Sequence, residues 1–455
     1  MKKLFYIAAF ALLSSCQIED DNAPKPEESF IKYLGVIADQ EAKDIEPVYA
    51  ADGVTLDGFV IFGTQKQADS LDSDFYIVRT DELGNIVDEV TIDPNNAVEG
   101  LDLDGNDQDD ILTGNEIAGQ IEMLPGGGFV AIGSTSVTDQ SKDLTDFRFI
   151  SLVILDAELN VLREFNAFNE NATGTVPLNL EGNDITMLSD GSLLIVGAIE
   201  TLAGDTDYYY RKLDAGSGAV AFTKTLGLSG ADNDDVLVRA FETDEQTIAL
   251  FGYSERIGNE GQIGTNVGYV EVNQNGNPTG GSGNYGIPDT LDGSNVLRVF
   301  NDVLTDVVQK PGGYMAVGTA TVDASNFAFF IDIDFDGISR RKGRLLSEFD
   351  PTLTTKAFGV SATRTNDFVV VGQYTNFRVG LEQRGEEAMF QRINQVGEKV
   401  EGFESNYGLG DGNDNAADVI TLADGKIVVA TTIDFGGGIR MIGLIKLNDT
   451  GELDR

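Results

Sequence analysis

Most of the side chains in this sequence that could take part in catalysis or metal binding are acidic. The chain of 455 residues has 75 Asp and Glu against 31 Lys and Arg, no His, no Trp and one Cys, for a net charge of −44. Without histidine there is no Ser-His-Asp or Cys-His catalysis and no His-ligated metal, and a single cysteine excludes an intramolecular disulfide. The charge disfavours nucleic-acid binding. Carboxylate pairs, or Tyr with Arg, are the remaining catalytic groups, and so many acids form pairs by chance. The composition therefore favours a non-catalytic protein.

Three acidic, Gly- and Asn-rich segments suggest a metal. They place hard oxygen ligands at alternate positions, which suits Ca²⁺. The candidate ligands are Asp102, Asp104, Asn106, Asp232, Asp234, Asp411, Asn413 and Asn415. Neither 102–110 nor 411–415 has the Gly at position six and the Glu at position twelve of an EF-hand. The alternative is a set of Asx-turn connectors whose acids are solvated.

A second candidate site combines aromatic and basic residues from two segments that read as long loops. Its members are Tyr253, Arg256, Tyr374, Phe377, Arg378 and Arg384. Tyr and Arg are the usual anchors of binding interfaces, so these residues are candidates for a contact patch. The alternative is that they pack within the loops.

The elements that must position these residues are repeated strands. An apolar strand ends in Asp or Asn before a turn about every sixty residues, at Asp81, Asp156, Asp214, Asn273, Asp334, Asn394 and Asn448. Each mark follows a β-branched run such as 58–63 or 313–318, which is typical of a strand buried on both faces. With one strand before and one after this pair, each repeat has four antiparallel strands. The sequence predicts an all-β fold, a seven-bladed β-propeller over residues 30–455.

The ends of this region predict how the ring closes. Residues 30–35, Phe-Ile-Lys-Tyr-Leu-Gly, match 222–227, Phe-Thr-Lys-Thr-Leu-Gly, and the last repeat lacks a fourth strand. We therefore expect the N-terminal strand to complete the last blade, which removes exposed sheet edges. Tight Asx-Gly turns fall on one rim and longer loops on the other, so the second rim is the expected working face.

Acidic residues also recur at the entry to the innermost strand. They are Asp44, Asp184, Asp235, Asp306 and Asp418. In a propeller they would surround one mouth of the central channel. One interpretation is a hydrogen bond to the backbone of the neighbouring blade, and the other is an acidic ring that attracts cations.

The repeats resemble the delta-sixty type of secreted bacterial propeller repeat. The resemblance rests on turns such as 125–129 and 311–314, on an Asp before the third strand (Asp74, Asp146 and Asp207), and on the Asx-x-x-Gly hairpins. It implies a propeller fold and export, and no fixed activity.

The N-terminus predicts a lipid anchor. Residues 1–15 read as a signal peptide, with Lys2 and Lys3 before an apolar run too short to span a bilayer. Leu-Ser-Ser-Cys at 13–16 is similar to a bacterial lipobox, which makes Cys16 the lipidated residue and 16–29 an acidic tether. Acids just after Cys16 resemble the signal for surface lipoproteins of the Bacteroidota.

Together these features predict a surface-exposed outer-membrane lipoprotein. We expect a non-catalytic interaction platform with an outer-membrane protein partner, and Ca²⁺ as its candidate cofactor. The alternative is a glycan-binding surface protein, or one that cleaves glycans with carboxylates. A third interpretation is an adhesin for environmental polymers.

Overall fold

The computed structural model describes most of the region that the sequence assigns to the propeller. The described residues are 29–35, 39–66, 72–94, 114–139, 144–167, 179–227, 234–257, 263–286, 301–322, 325–344, 353–376, 385–408 and 412–453. The expected signal peptide and the lipidation site Cys16 lie outside them. None of these residues belongs to a helix long and apolar enough to cross a membrane.

Every regular element in the described part of the chain is a β-strand, as the sequence predicts. Strands β1 to β14 are Phe30–Leu34, Asp39–Tyr49, Leu56–Lys66, Ser73–Asp81, Ile86–Ile92, Asn115–Met123, Phe129–Asp139, Leu144–Leu155, Val161–Ala167, Leu180–Met187, Ser192–Glu200, Thr206–Asp214, Val220–Leu226 and Asp235–Glu242. Strands β15 to β28 are Thr247–Ile257, Ile263–Asn273, Pro278–Tyr285, Asn301–Lys310, Gly313–Val322, Ser325–Asp334, Ser339–Arg344, Leu353–Ala362, Phe368–Asn376, Glu386–Ile393, Lys399–Tyr407, Asn415–Thr421, Ile427–Asp434 and Arg440–Leu447.

The strands pair with their chain neighbours to form antiparallel groups of four. Five separate sheets contain β6–β9, β10–β13, β14–β17, β18–β21 and β22–β25. A further sheet has eight strands, namely β2–β5 together with β26–β28 and β1. We number the groups units 1 to 7, from β2–β5 to β26–β28, and assign β1 to unit 7. This repeated arrangement is that of a β-propeller.

The N-terminal strand joins the two ends of the described chain. Strand β1 pairs antiparallel with β28, from Phe30 opposite Lys446 to Leu34 opposite Ile442. Unit 1 is linked to the same strand by one parallel bridge, between Asp39 and Arg440. The prediction that the N-terminal strand supplies the outer strand of the last unit is therefore confirmed.

The core lies between neighbouring units. Val60 and Phe62 on β3 and Phe75 on β4 pack against Ile121 and Phe129 of unit 2. Their neighbours on β3 face the opposite interface, so the central residues of this strand are buried on both faces. This explains why the second strand of each unit reads as a continuous apolar run.

The Asx turns have the predicted chemistry. In unit 1, Asp81 Oδ1 accepts hydrogen bonds from the backbone N–H groups of Leu83 at 3.0 Å and Asn85 at 2.8 Å. Gly84 has a φ of 75°, which an L residue rarely adopts. In unit 2, Leu159 takes this place with a φ of 59°, and its side chain is buried in the core.

The rim expected to carry long loops is more regular than predicted. The segments read as loops at 253–266 and 373–387 are partly strand, because β15 extends to Ile257 and β23 to Asn376. Register pairs such as Arg256 opposite Gly264 continue the ladder. The loop assignment of Tyr253, Arg256 and Tyr374 was therefore wrong, since all three lie on strands.

Candidate functional site

The first strand of each unit contains a β-bulge, and the bulge orients one residue toward the centre of the set of units. The register shifts directly before this residue in all seven units of the described chain. The residues are Asp44, Gln120, Asp184, Arg239, Asp306, Gly359 and Asp418. We call this set the bulge ring. Asp44, Asp184, Asp306 and Asp418 of the recurring Asp set occupy the ring, within their strands. Asp235 stands at the strand entry, as predicted, but not in the ring, where Arg239 takes the position of unit 4.

The ring carboxylates hold neighbouring units together. The Oδ2 atom of Asp44 accepts a hydrogen bond from Ile121 N at 2.7 Å. In the same way Asp184 accepts one from Ala240 N at 2.8 Å, and Asp306 one from Val360 N at 2.8 Å. Gln120 repeats the contact with an amide oxygen, at 3.0 Å from Ile185 N, and Asp418 with a longer one of 3.4 Å to Ile45 N. The interpretation of the recurring Asp as a link to the next unit is confirmed.

One arginine balances part of this buried charge. Arg239 Nε lies 2.7 Å from Asp306 Oδ1, and its Nη1 lies 3.1 Å from Asp184 Oδ1. Burial raises the pKa of Asp184 to about 6, although Arg239 opposes the shift. Burial, and then the charge of Asp44, raise the pKa of Asp418 well above its usual range. The bulge ring thus contains four carboxyl groups and one cationic side chain, that of Arg239.

A cavity of about 430 Å³ opens beside the ring, among the first strands of the units. Its polar lining consists of Glu41, Lys43, Ser134, Arg148, Glu181, Asn183, Tyr253, Thr305 and Asn415, with Asp44, Gln120, Arg239 and Asp418 of the ring. Positive and negative groups are nearly balanced there, although the whole chain is strongly acidic. We call this space the central cavity.

Two predicted binding residues are described fully enough to be compared. Tyr253 lines the central cavity, and burial raises its pKa to about 12, so the phenol stays neutral. Tyr374 lies outside this lining, donates a hydrogen bond to Glu387 and packs against the core of unit 6. Arg256 lies on β15, while Phe377, Arg378 and Arg384 lie outside the described residues. Tyr253 therefore lines the central cavity, and Tyr374 does not.

Sequence reasoning missed an ion pair at the cavity wall. Arg148 of unit 2 forms a salt bridge with Glu181 of unit 3, and its backbone N–H donates to Asn179 Oδ1 at 2.8 Å. Arg148 precedes a buried run and Glu181 stands in a first strand, and no local motif marks either. Only the stacking of one unit on the next brings them together.

Three of the eight predicted calcium ligands, Asp234, Asn413 and Asn415, lie among the described residues. Asp102, Asp104, Asn106, Asp232 and Asp411 lie outside the described residues.

The three that are described make other contacts. Asp234 Oδ1 accepts hydrogen bonds from the backbone and hydroxyl of Thr206, at 2.9 and 3.2 Å. Asn413 Oδ1 accepts one from Glu386 N at 3.3 Å, and Asn415 lies on β26 at the central cavity. Asp234 and Asn413 therefore link a unit to the third strand of the preceding one.

A group of three carboxylates, two of them buried, could hold a metal elsewhere. One oxygen each of Asp74, Asp93 and Glu116 lies within 4.8 Å of the others. Asp74 is near the start of β4, Asp93 follows β5, and Glu116 is near the start of β6 in the next unit. Glu116 is 2% exposed, and neither of its carboxylate oxygens has a hydrogen-bond partner in the described structure. We call these three residues the acidic triad.

The triad concentrates negative charge. At 4.8 Å, two full charges repel by about 3.5 kcal/mol at an effective dielectric constant of about 20. Burial, followed by the charge of Asp93, raises the pKa of Glu116 to about 8. The Thr135 hydroxyl opposes this shift, and it also lies 2.7 Å from Ser151 Oγ. A proton or a cation must relieve the repulsion.

Comparisons with known proteins find structural likenesses at low sequence identity. No protein-family model and no curated protein matches the chain. Among solved structures, the polysaccharide lyase Uly1 is 13% identical with a TM-score of 0.49, over 92% of this chain and 91% of its own. The α-L-arabinanase of Penicillium chrysogenum is 12% identical with a TM-score of 0.44, over 73% and 93%. The β-propeller domain of the Trilobed protease of Pyrococcus furiosus is 11% identical with a TM-score of 0.43, over 92% and 98%.

Proposed function

We propose that this protein is a closed seven-bladed β-propeller whose central cavity binds a neutral glycan without cleaving it. The observation that carries the proposal is the cavity of about 430 Å³, lined by charged, amide and phenol groups. This volume falls within the range of about 300–1,000 Å³ that is usual for small-molecule sites.

Contacts between the units support the closed ring. The first strand of each unit contacts the first strand of the next, from β2 with β6 through to β22 with β26. Strand β26 in turn contacts β2, and Asp418 approaches Ile45 N at 3.4 Å across this junction. Twenty-eight strands in groups of four correspond to seven blades around one axis.

The character of the cavity favours a neutral, polyhydroxylated ligand. Lys43 and Arg148 stand among Glu41, Glu181 and Asp418, so the wall offers donors and acceptors with little net charge. A polyanion would meet the acidic surface of the whole chain, whereas a neutral sugar would not. The ring of Tyr253 supplies an apolar face beside these polar groups, which is the combination that a sugar needs.

The contacts of the ring carboxylates argue against catalysis. Asp44, Asp184 and Asp306 each accept a backbone hydrogen bond from the next unit, and Arg239 binds two of them. A general acid or base needs an oxygen free to reach the substrate. Among the acids that line the cavity, Asp44 and Asp418 each accept a backbone hydrogen bond from the next unit, and Glu181 pairs with Arg148, so we assign the cavity a binding function.

The site would act outside the cell. Lipidation of Cys16 would anchor the propeller through the acidic tether 16–29 to the outer membrane, with the cavity presented at the surface. The −44 charge favours solubility of such an exposed domain.

A glycan array followed by calorimetry tests the proposal. The full chain in detergent should bind at least one neutral glycan, and Tyr253→Ala should weaken that binding at least tenfold. Tyr374→Ala is the matched control, because this second-strand tyrosine lies outside the cavity lining, and it should bind as the wild type does. An array without a neutral ligand, or equal losses in both variants, would refute the assignment.

Binding of an outer-membrane protein is a second candidate. One observation favours it: Tyr33 on β1 and Phe435 after β27 form an exposed edge-to-face pair with ring centroids 5.3 Å apart, and Ile439 nearby is also exposed. Exposed aromatics are typical interface anchors. Co-purification from detergent-solubilised outer membranes should yield a stoichiometric partner that Tyr33→Ser releases, and failure to recover one would count against this candidate.

A further inference from the structure

We infer that the acidic triad, Asp74, Asp93 and Glu116, is a calcium site that joins unit 1 to unit 2. It lies outside the lining of the central cavity and includes none of the ligands predicted from the acidic links. The inference therefore stands or falls independently of glycan binding.

The spacing of the oxygens suits this ion. Calcium binds oxygen at about 2.3–2.6 Å, so two ligands on opposite sides of one ion are separated by up to about 5 Å. The triad oxygens lie within 4.8 Å of one another, which allows all three to reach a single Ca²⁺.

Glu116 is the residue that points to a ligand. Buried carboxylates of the bulge ring accept backbone hydrogen bonds, as Asp44 and Asp184 do. Glu116 is equally buried, yet neither oxygen has a hydrogen-bond partner in the described structure, and one oxygen faces Asp74 and Asp93. A buried polar group is almost always satisfied, so an unsatisfied carboxylate among acids indicates a missing cation.

The backbone around the triad is fixed in place. Ser73 N donates to Asn115 Oδ1 at 3.2 Å, and Ser73 Oγ donates to the carbonyl oxygen of Glu116 at 3.0 Å. These bonds connect the start of β4 to the start of β6. A second cavity of about 440 Å³ is bordered by Ser73, Asn115 and Glu116, and its lining also includes the cationic residues Lys43, Lys66 and Arg440. Water in this cavity would supply the further ligands of an ion held by Glu116, since Ca²⁺ takes six to eight.

The interface between units 3 and 4 lacks the third acid. Asp207 and Asp235 occupy the equivalent strand positions between units 3 and 4, but Gly227 stands where Asp93 does. A Cβ atom on Gly227 would lie 2.6 Å from Asp207 Oδ1, so a side chain at this position points at the acids. Asp93 therefore gives the interface between units 1 and 2 a third carboxylate, which the interface between units 3 and 4 does not have.

The test measures bound calcium and thermal stability of the full chain in detergent, after EDTA treatment and dialysis. Equilibrium dialysis with ⁴⁵Ca²⁺ should show that Glu116→Gln and Asp93→Asn each bind one ion fewer per chain than the wild type, or bind it at least tenfold more weakly. Asp93 is exposed, so its variant tests the site without disturbing the core. Calcium should raise the Tm of the wild type more than that of either variant.

Glu122→Gln is the control, because Glu122 is a carboxyl of the same strand β6 outside the triad. It should keep the wild-type stoichiometry and the wild-type Tm increase. A wild type that binds no calcium would overturn the inference. So would Asp93→Asn and Glu116→Gln proteins that bind calcium as the wild type does, and equal losses in the Glu122→Gln control.

Discussion

Replacing Arg239 by methionine should destabilise the protein strongly, and more at pH 8 than at pH 5.5. Arg239 pairs with Asp306 at 2.7 Å and with Asp184 at 3.1 Å, and its side chain is 19% exposed. Removing one partner of a buried ion pair typically costs about 3–5 kcal/mol, because the remaining charge has no partner. We expect a loss of this size in the free energy of unfolding at pH 8.

The pH dependence follows from the carboxyls that Arg239 stabilises in the charged form. Burial already raises the pKa of Asp184 to about 6, and Arg239 holds it down to that value. Without the guanidinium the folded-state pKa rises further, above the ordinary 3.8 of the unfolded chain. A raised folded-state pKa gives stability that is present at low pH and lost as the pH rises through it. The variant should therefore approach the wild type at pH 5.5, where the carboxyl is protonated.

Arg440→Met is the matched control. Arg440 also pairs with two carboxylates, Asp39 at 2.5 Å and Glu41 at 2.9 Å, but its side chain is 36% exposed. Exposed pairs contribute at most about 1 kcal/mol. Urea unfolding followed by circular dichroism at both pH values compares the two variants. Equal losses in the two variants at pH 8, or a loss in Arg239→Met that does not change with pH, would refute the reasoning.

Three further outcomes are expected. The wild type should lose stability between pH 5 and 8, because burial raises the pKa values of Glu122 and Asp184 to about 7 and about 6; a Tm that stays flat over this range would contradict the sign. Gly397→Ala should be more destabilising than Gly402→Ala by about 1–3 kcal/mol in chemical denaturation. Both glycines have a φ of 82°, so the backbone strain of the two variants is similar. A Cβ atom at 397 would lie 1.8 Å from a phenylalanine ring, whereas one at 402 would meet no atom within 4 Å. Cys16→Ser should abolish fatty-acid labelling and release the protein from the membrane fraction; retention there would exclude the lipid anchor.

Local chemistry explains which structural features could be predicted from the sequence. The turn at Asp81 is decided within five residues by the Asx side chain and by Gly84, so it is readable without any tertiary contact. The closing strand was readable because residues 30–35 resemble another fourth strand. Both signals repeat, and repetition fixes the order of strands even where single propensities are weak.

Contacts between units explain which structural features could not be predicted from the sequence. Asp235 stands four residues before the ring position, and the bulge that assigns this position to Arg239 leaves no mark in the sequence. Asp74, Asp93 and Glu116 belong to three elements of two units, and only the stacking of the units brings them together. Their spacing along the chain therefore resembles that of any other acids in so acidic a protein.

The pairing of β1 with β28 also determines when the molecule can finish folding. Phe30 finds its partner only after Lys446 has been made, and Arg440 reaches Asp39 across 401 positions of the chain. Closing a loop of that length costs about 2 kcal/mol more in chain entropy than closing one of about 60 residues within a unit. During synthesis the first strand therefore waits as an unpaired edge while the other units assemble. The junction between β1 and β28 therefore depends on residues from the two ends of the described chain and cannot form before β28 has been synthesised.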